Sequence, residues 1–87
     1  MRIYFHRCFN KNFKKLRKNE QSRFLERVSI FKENPFSRTL ENHPLHGKYQ
    51  DCRSINVGGD LRAVYRPVDA DSNLFIDIGT HSELYGS

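Results

Sequence analysis

The hydrophobic period of this sequence changes partway along the chain, and no other feature narrows the fold as much. In the first part the apolar residues recur at helical spacing. Phe9, Phe13 and Leu16 stand at i, i+4 and i+7, and Phe24, Val28 and Phe31, with Leu25, make a second stripe. From residue 50 the period is two. Arg53, Ile55 and Val57 alternate with Cys52, Ser54 and Asn56, and Leu74, Ile76 and Ile78 share one side of a later run. A pattern of period 3.6 gathers its apolar residues only on a helix, and a pattern of period 2 only on a strand. A short alternating run also opens the chain, with Ile3 and Phe5 opposed to Tyr4 and His6. The predicted order is therefore β-α-α-β-β-β. It implies an α+β fold, an antiparallel sheet with two helices packed on one face and the other face open to a ligand.

Punctuation residues set the expected boundaries. Asn10 suits the N-cap of the first helix, and Asn19 the cap of a second beginning at Glu20. Pro35 ends that helix, because the residue before a proline avoids the α region. Residues 35–49 read as a loop, since Pro44 and Gly47 forbid a regular helix. Gly58-Gly59 makes a tight hairpin, Pro67 stops the return strand Asp60–Arg66, and residues 69–73 turn the chain into a last strand at Leu74–Ile78. The 87 residues are enough for one core, so residues 1–87 are expected to form one domain.

Composition excludes several classes. A hydrophobic share of 37% with seven Phe and four Tyr is too rich for a disordered tail. No run approaches the ~18 apolar residues of a membrane span, and the N-terminus lacks the apolar stretch of a signal peptide. A cytoplasmic protein without a membrane partner is expected. The two cysteines, Cys8 and Cys52, are isolated, and the four His are not spaced to complete a metal site with them. Neither a metal nor a small-molecule cofactor is expected. The net charge of +5 is unevenly placed. Residues 1–34 hold ten Lys/Arg against three Glu, whereas residues 35–87 hold five against seven acids. A basic half suits a polyanion, through phosphate contacts and counterion release, and equally suits plain solubility.

Four polar features invite a chemical reading. His81 follows the last strand and should be exposed at its end. Asp60 follows the glycine turn, where an Asp serves turn geometry or orients an imidazole across from it. His43 and His46 lie in the long loop. Arg62 and Arg66 share one face of a strand, with Arg53 and Lys48 nearby. Each alone is compatible with an ordinary surface residue. Together they suit cutting RNA, which needs a proton taken from a ribose 2′-OH, a proton given to the 5′-oxygen, and charge stabilisation at phosphorus. Histidine serves the first two near neutral pH and arginine the third. Tyr85 can stack on an unpaired base or donate a hydrogen bond.

Three stretches resemble a known family. They are His43-Pro44-Leu45-His46-Gly47-Lys48-Tyr49, then Cys52-Arg53-Ser54-Ile55-Asn56-Val57-Gly58-Gly59-Asp60-Leu61-Arg62-Ala63-Val64-Tyr65-Arg66, then Gly79-Thr80-His81-Ser82-Glu83-Leu84-Tyr85. They are similar to the RelE/ParE toxin superfamily, and most of all to its YafQ-like mRNA interferase branch. The last stretch is the most specific, and the order of elements fits as well. The resemblance implies a type II toxin that cuts mRNA in the ribosomal A site and is restrained by a cognate antitoxin. It implies that His81 is the principal catalytic histidine, Asp60 the catalytic aspartate after the hairpin, His43 the loop histidine, Tyr85 a functional aromatic and Arg62 a phosphate-stabilising arginine. Lys48, His46, Arg53 and Asn56 are the further expected RNA contacts. The chain departs from the branch at Ser54 and Asn56, which stand where an acidic residue and a histidine are usual. Asn56 can hydrogen-bond but cannot shuttle a proton. The sequence is also compatible with two other functions: a ParE-like inhibitor of DNA gyrase, and a ribosome- or RNA-binding module that has lost catalysis.

Overall fold

The computed structural model describes residues 1–86. The opening alternation forms β1 (Arg2–Phe5), followed by α1 (Arg7–Lys14) and α2 (Lys18–Glu33). Both helices begin earlier than Asn10 and Asn19 imply. His6 caps α1, its Nδ1 accepting from the Cys8 N–H at 3.0 Å. At α2 the Glu20 carboxylate reaches back to the Arg17 N–H at 3.0 Å. An acceptor three residues ahead satisfies the orphan N–H, so Asn19 is not needed as a cap and lies inside the helix. Asn34, extended before Pro35, ends α2 as expected.

Phe9, Phe24, Val28 and Phe31 are buried against Ile55, Val57, Leu61, Ala63, Tyr65, Phe75 and Ile78 of the sheet. Their rings meet edge-on, as with Phe24 and Phe75 at 5.4 Å and Phe31 and Tyr65 at 4.8 Å. Leu25 does not join them and is 61% exposed. It lies about 100° round the helix from Phe24, past the edge of the stripe.

The sheet has five strands in the order β1-β5-β4-β3-β2, where β2 is His43–Pro44, β3 Arg53–Gly58, β4 Leu61–Asp69 and β5 Ser72–Thr80. It is mixed, which corrects the antiparallel expectation. β2 to β5 pair antiparallel, but β1 runs parallel to β5, with Arg2 opposite Ser72 and Phe5 opposite Phe75. Alternation within a strand says which residues face the core and nothing about which neighbour the strand takes or in which direction. The helices carry the chain from β1 to the far side of the sheet, and the last strand returns beside the first.

Two further differences have local causes. β4 continues through Pro67 to Asp69. Its pairing with β3 stops at Tyr65, so the missing N–H of Pro67 faces an unpaired edge. In β5 the register shifts, with Val64 opposite Asp77 and Tyr65 opposite Phe75. The bulge leaves Ile76 as an extra residue, so Leu74, Ile76 and Ile78 do not share a face. Phe75 and Ile78 join the helix-covered core. Ile76 instead packs on the other face with Tyr49, Cys52, Val64 and Leu84.

That second face positions everything below. It is bordered by β2, by a 3-10 turn at Gly47–Tyr49 and by a closing helix, α3 (His81–Tyr85). Thr80 caps α3 reciprocally. Its Oγ1 accepts from the Glu83 N–H at 3.2 Å, and its own N–H donates to Glu83 Oε1 at 2.8 Å. The box, together with buried Leu84, fixes His81 at the first helical position. Among the described residues, no helix is long and apolar enough to cross a membrane.

Candidate functional site

A short loop is held in place before it can present a histidine. Asn42 does the holding. Its Nδ2 donates to the Pro35 carbonyl and to Tyr65 Oη, each at 2.8 Å, and its Oδ1 accepts from Arg53 Nε at 2.7 Å. The next residue, His43, lies on β2 opposite Ser54. Its Nδ1 is 2.9 Å from the Glu41 carbonyl oxygen. A carbonyl can only accept, so Nδ1 carries the hydrogen and the lone pair of the neutral ring is at Nε2.

His81 arrives from the other end of the chain. Its ring lies 4.7 Å from that of Tyr85, one helical turn later, and Tyr85 meets Tyr49 edge-on at 5.9 Å. Lys48 Nζ sits 5.2 Å from the Tyr49 ring centre. On β4, Arg62 is opposite Asn56. Its Nη1 donates to Asn56 Oδ1 at 3.2 Å, to the Gly59 carbonyl at 2.9 Å and to the Leu61 carbonyl at 3.1 Å. Asn56 Oδ1 also accepts from the Gly58 N–H at 2.7 Å, and its Nδ2 donates to Glu41 Oε2 at 3.1 Å. Among the described residues Arg62 has no ion-pair partner.

His43, Leu45, Ser54, Arg62, His81 and Tyr85 line one hollow of about 360 Å³. Four of the residues singled out in the sequence, His43, Arg62, His81 and Tyr85, are therefore brought together from three separate elements, β2, β4 and α3. The others are elsewhere. Asp60 is exposed in the hairpin turn; the next residue, Leu61, pairs with Thr80, yet the Asp60 side chain is not among those lining the hollow. His46 and Arg53 line a different hollow of about 350 Å³, with Asp51 and Cys52. Arg53 is moreover tied to Asn42 and stacked 5.2 Å from the Phe36 ring, which makes it a brace for the loop. Lys48 is exposed at the outer end of the aromatic row. Asn56 reaches the hollow only through Arg62.

Ser54 and Glu41 were not foreseen as parts of the site. Ser54 is 0% exposed, and its Oγ has no hydrogen-bond partner among the described residues; the buried hydroxyl of Tyr85 has none among them either. The sequence signals for Ser54 are its alternation against Ile55 and its place where the resembling branch carries a charged residue, and for Glu41 there is none, since its role runs through a backbone carbonyl and a contact to Asn56. Nearby, burial pushes the Tyr49 phenol up, helped by the negative charge of Asp77. Burial likewise pushes the Cys52 thiol up, against a smaller downward pull from Arg66. Both stay protonated near neutral pH, so Cys52 is no nucleophile. Among the described residues no three His, Cys, Asp or Glu side chains group to hold a metal ion.

Comparison with known proteins places this geometry in context. Residues 1–86 match the family described as a bacterial toxin of type II toxin-antitoxin systems, YafQ. Among solved structures, a metal-bound toxin from Helicobacter pylori is 28% identical with a TM-score of 0.79, the match covering 98% of this chain and 99% of that one. YafQ from E. coli strain BL21(DE3) is 22% identical with a TM-score of 0.82, over 99% of this chain and 100% of that one. A chain of the E. coli DinJ–YafQ complex is 23% identical with a TM-score of 0.73, over 99% and 100%. No curated protein matches the sequence.

Proposed function

The chain belongs to the YafQ family of bacterial type II toxins, and from that premise we propose that it is an endoribonuclease that cuts mRNA on the ribosome by acid–base chemistry. The observation that carries the reading is the meeting of His43, Arg62, His81 and Tyr85 around one hollow on the sheet face that α1 and α2 leave uncovered. In this mechanism His43 Nε2 takes the proton of a ribose 2′-OH, its ring aimed by the Glu41 carbonyl. The 2′-oxygen attacks the adjacent phosphorus and the bond to the 5′-oxygen breaks. His81 gives a proton to that leaving oxygen, and a 2′,3′-cyclic phosphate remains. Arg62 offsets the charge that builds on the phosphorane oxygens. Tyr85 supports the His81 ring and closes the side of the hollow. Asp60, outside the hollow, takes no proton in this scheme, and Lys48, on the exposed rim, contacts the RNA backbone.

The partners follow from the family and the charge. An antitoxin restrains the protein, as the DinJ–YafQ complex indicates for its relative. An acidic segment in that antitoxin suits the basic first half of this chain. The toxin acts in the cytosol, where mRNA is translated.

The test is expression without antitoxin, wild type against His81→Ala, with growth followed and mRNA ends mapped on stalled ribosomes. The wild type is expected to arrest growth and leave cuts in the A-site codon, and the variant to lose both by at least about 100-fold in cleavage rate. A fully active His81→Ala protein would end the assignment. Cleavage-free growth arrest by the wild type, with loss of DNA supercoiling activity in a gyrase assay, would favour binding over RNA chemistry.

A further inference from the structure

Two hydroxyls in the hollow are buried with no hydrogen-bond partner among the described residues, those of Ser54 and Tyr85. An orphaned buried hydroxyl costs about 1–3 kcal/mol, so native proteins rarely keep one without a reason. The fold supplies none for Ser54. It faces away from the helix-covered core, opposite His43 on one side and Val64 on the other, where an alanine would fill nearly the same space.

The charge of the hollow indicates what the hydroxyls are for. Its lining holds Arg62, two histidines and the two hydroxyls, and no carboxylate. Two other hollows differ: one beneath the α1–α2 corner contains Glu20, Asp77 and Glu83, and one at Arg53 contains Asp51. A concavity of donors around one permanent cation, free of acids, suits an anion. A phosphate oxygen accepts from both hydroxyls and from a guanidinium at once.

We propose that Ser54 is a phosphate-binding residue, its Oγ–H donating, with Tyr85 Oη–H, to the oxygens of a phosphate group held beside Arg62. That the phosphate is the one cut in RNA rests on the ribonuclease reading above; that the hollow takes a phosphate does not. His43 is exposed and Arg62 and Tyr85 are half-buried, and all three line the hollow with Ser54; the proposal requires one of these side chains to change rotamer so that the ligand reaches Ser54. Ser54 then occupies the place of a charged residue in the related branch, with a neutral donor that does not repel the substrate.

The experiment compares purified wild-type toxin with Ser54→Ala, using adenosine 3′-monophosphate as the probe, adenosine as its phosphate-free control, and thermal unfolding alongside. Loss of a hydrogen bond to a charged group is expected to weaken the nucleotide about tenfold or more, to leave adenosine within twofold, and to raise Tm by a few degrees because an unpaired hydroxyl has gone. A structural serine would do the reverse, lowering Tm on removal. Unchanged nucleotide affinity in Ser54→Ala, no binding of the nucleotide by the wild type, or a fall in Tm overturns the inference. If the wild type cuts mRNA while Ser54→Ala binds the nucleotide normally, only the role of Ser54 fails. If Ser54 holds the nucleotide but no mRNA is cut, only the ribonuclease reading fails.

Discussion

Replacing Arg62 by Lys keeps the charge of the hollow and removes its geometry, which separates two explanations of what the guanidinium does. One nitrogen, Nη1, is spent on Asn56 Oδ1 and the Gly59 and Leu61 carbonyls, at 2.9 to 3.2 Å. Those bonds hold the planar fork on the hairpin and leave its other donors for a phosphate. Among the described residues no carboxylate pairs with it. An ammonium on a flexible stem cannot make the same set of bonds and must order itself at each turnover. Loss of one preorganised donor to a developing oxyanion costs about 10²–10³ in rate, or roughly 3–4 kcal/mol. Arg62→Ala is therefore expected to lower the single-turnover cleavage rate by that factor, and Arg62→Lys to recover no more than about tenfold of it. Stability should change by less than about 1 kcal/mol in both, because the Arg62 bonds lie near solvent. Asn56→Ala should cost less than Arg62→Ala, and the double variant should cost less than the sum, since Asn56 acts by holding Arg62. The assay is cleavage of a defined mRNA on purified ribosomes, with thermal melts of each variant. Arg62→Lys within threefold of wild type would refute the geometric argument, leaving only charge.

Asp60→Asn is expected to keep cleavage within about threefold, whereas His43→Gln should lose about 10²-fold in the same assay, because only His43 lines the hollow. Phe24→Ala should destabilise the fold by about 3–5 kcal/mol, since its ring is buried among Phe5, Phe9, Phe13 and Phe75; denaturant titration measures it, and a loss under 1 kcal/mol would contradict the packing described. Tyr49 has its folded-state pKa raised above 10.0 by burial. The folded state then holds that proton more tightly than the unfolded one, so its contribution is full below about pH 10 and is lost as pH rises through the higher folded value. Melts between pH 9 and 11 should show Tyr49→Phe declining less steeply than wild type, and parallel slopes would reject the burial argument.

Periodicity and punctuation are properties of neighbouring residues, and what depends on them could be read directly. The stripes at Phe9 and Phe24, the hairpin at Gly58-Gly59 and the stop at Pro35 all appear where local sterics and amphipathicity put them. The caps were less legible, because Glu20 and His6 act on backbone groups two or three residues away and displace the expected Asn19 and Asn10. The α+β character followed from the switch of period alone. The direction of β1 did not, since a four-residue strand pairs equally well either way and only the path of the helices seats it parallel to β5. Nor did the bulge at Ile76, which arises from matching two strands and splits one alternating run between two faces. The site belongs to this second kind of information. Its histidines are far apart in sequence, one pinned by Asn42 and the other by a helix cap, and only the assembled sheet decides that they share a hollow while His46, Arg53 and Asp60 stay outside. Chain chemistry could name the residue types the reaction needs. Which of them stand together, and which buried hydroxyl is left without a partner, is decided by contacts between distant segments, and those exist only once the chain is folded.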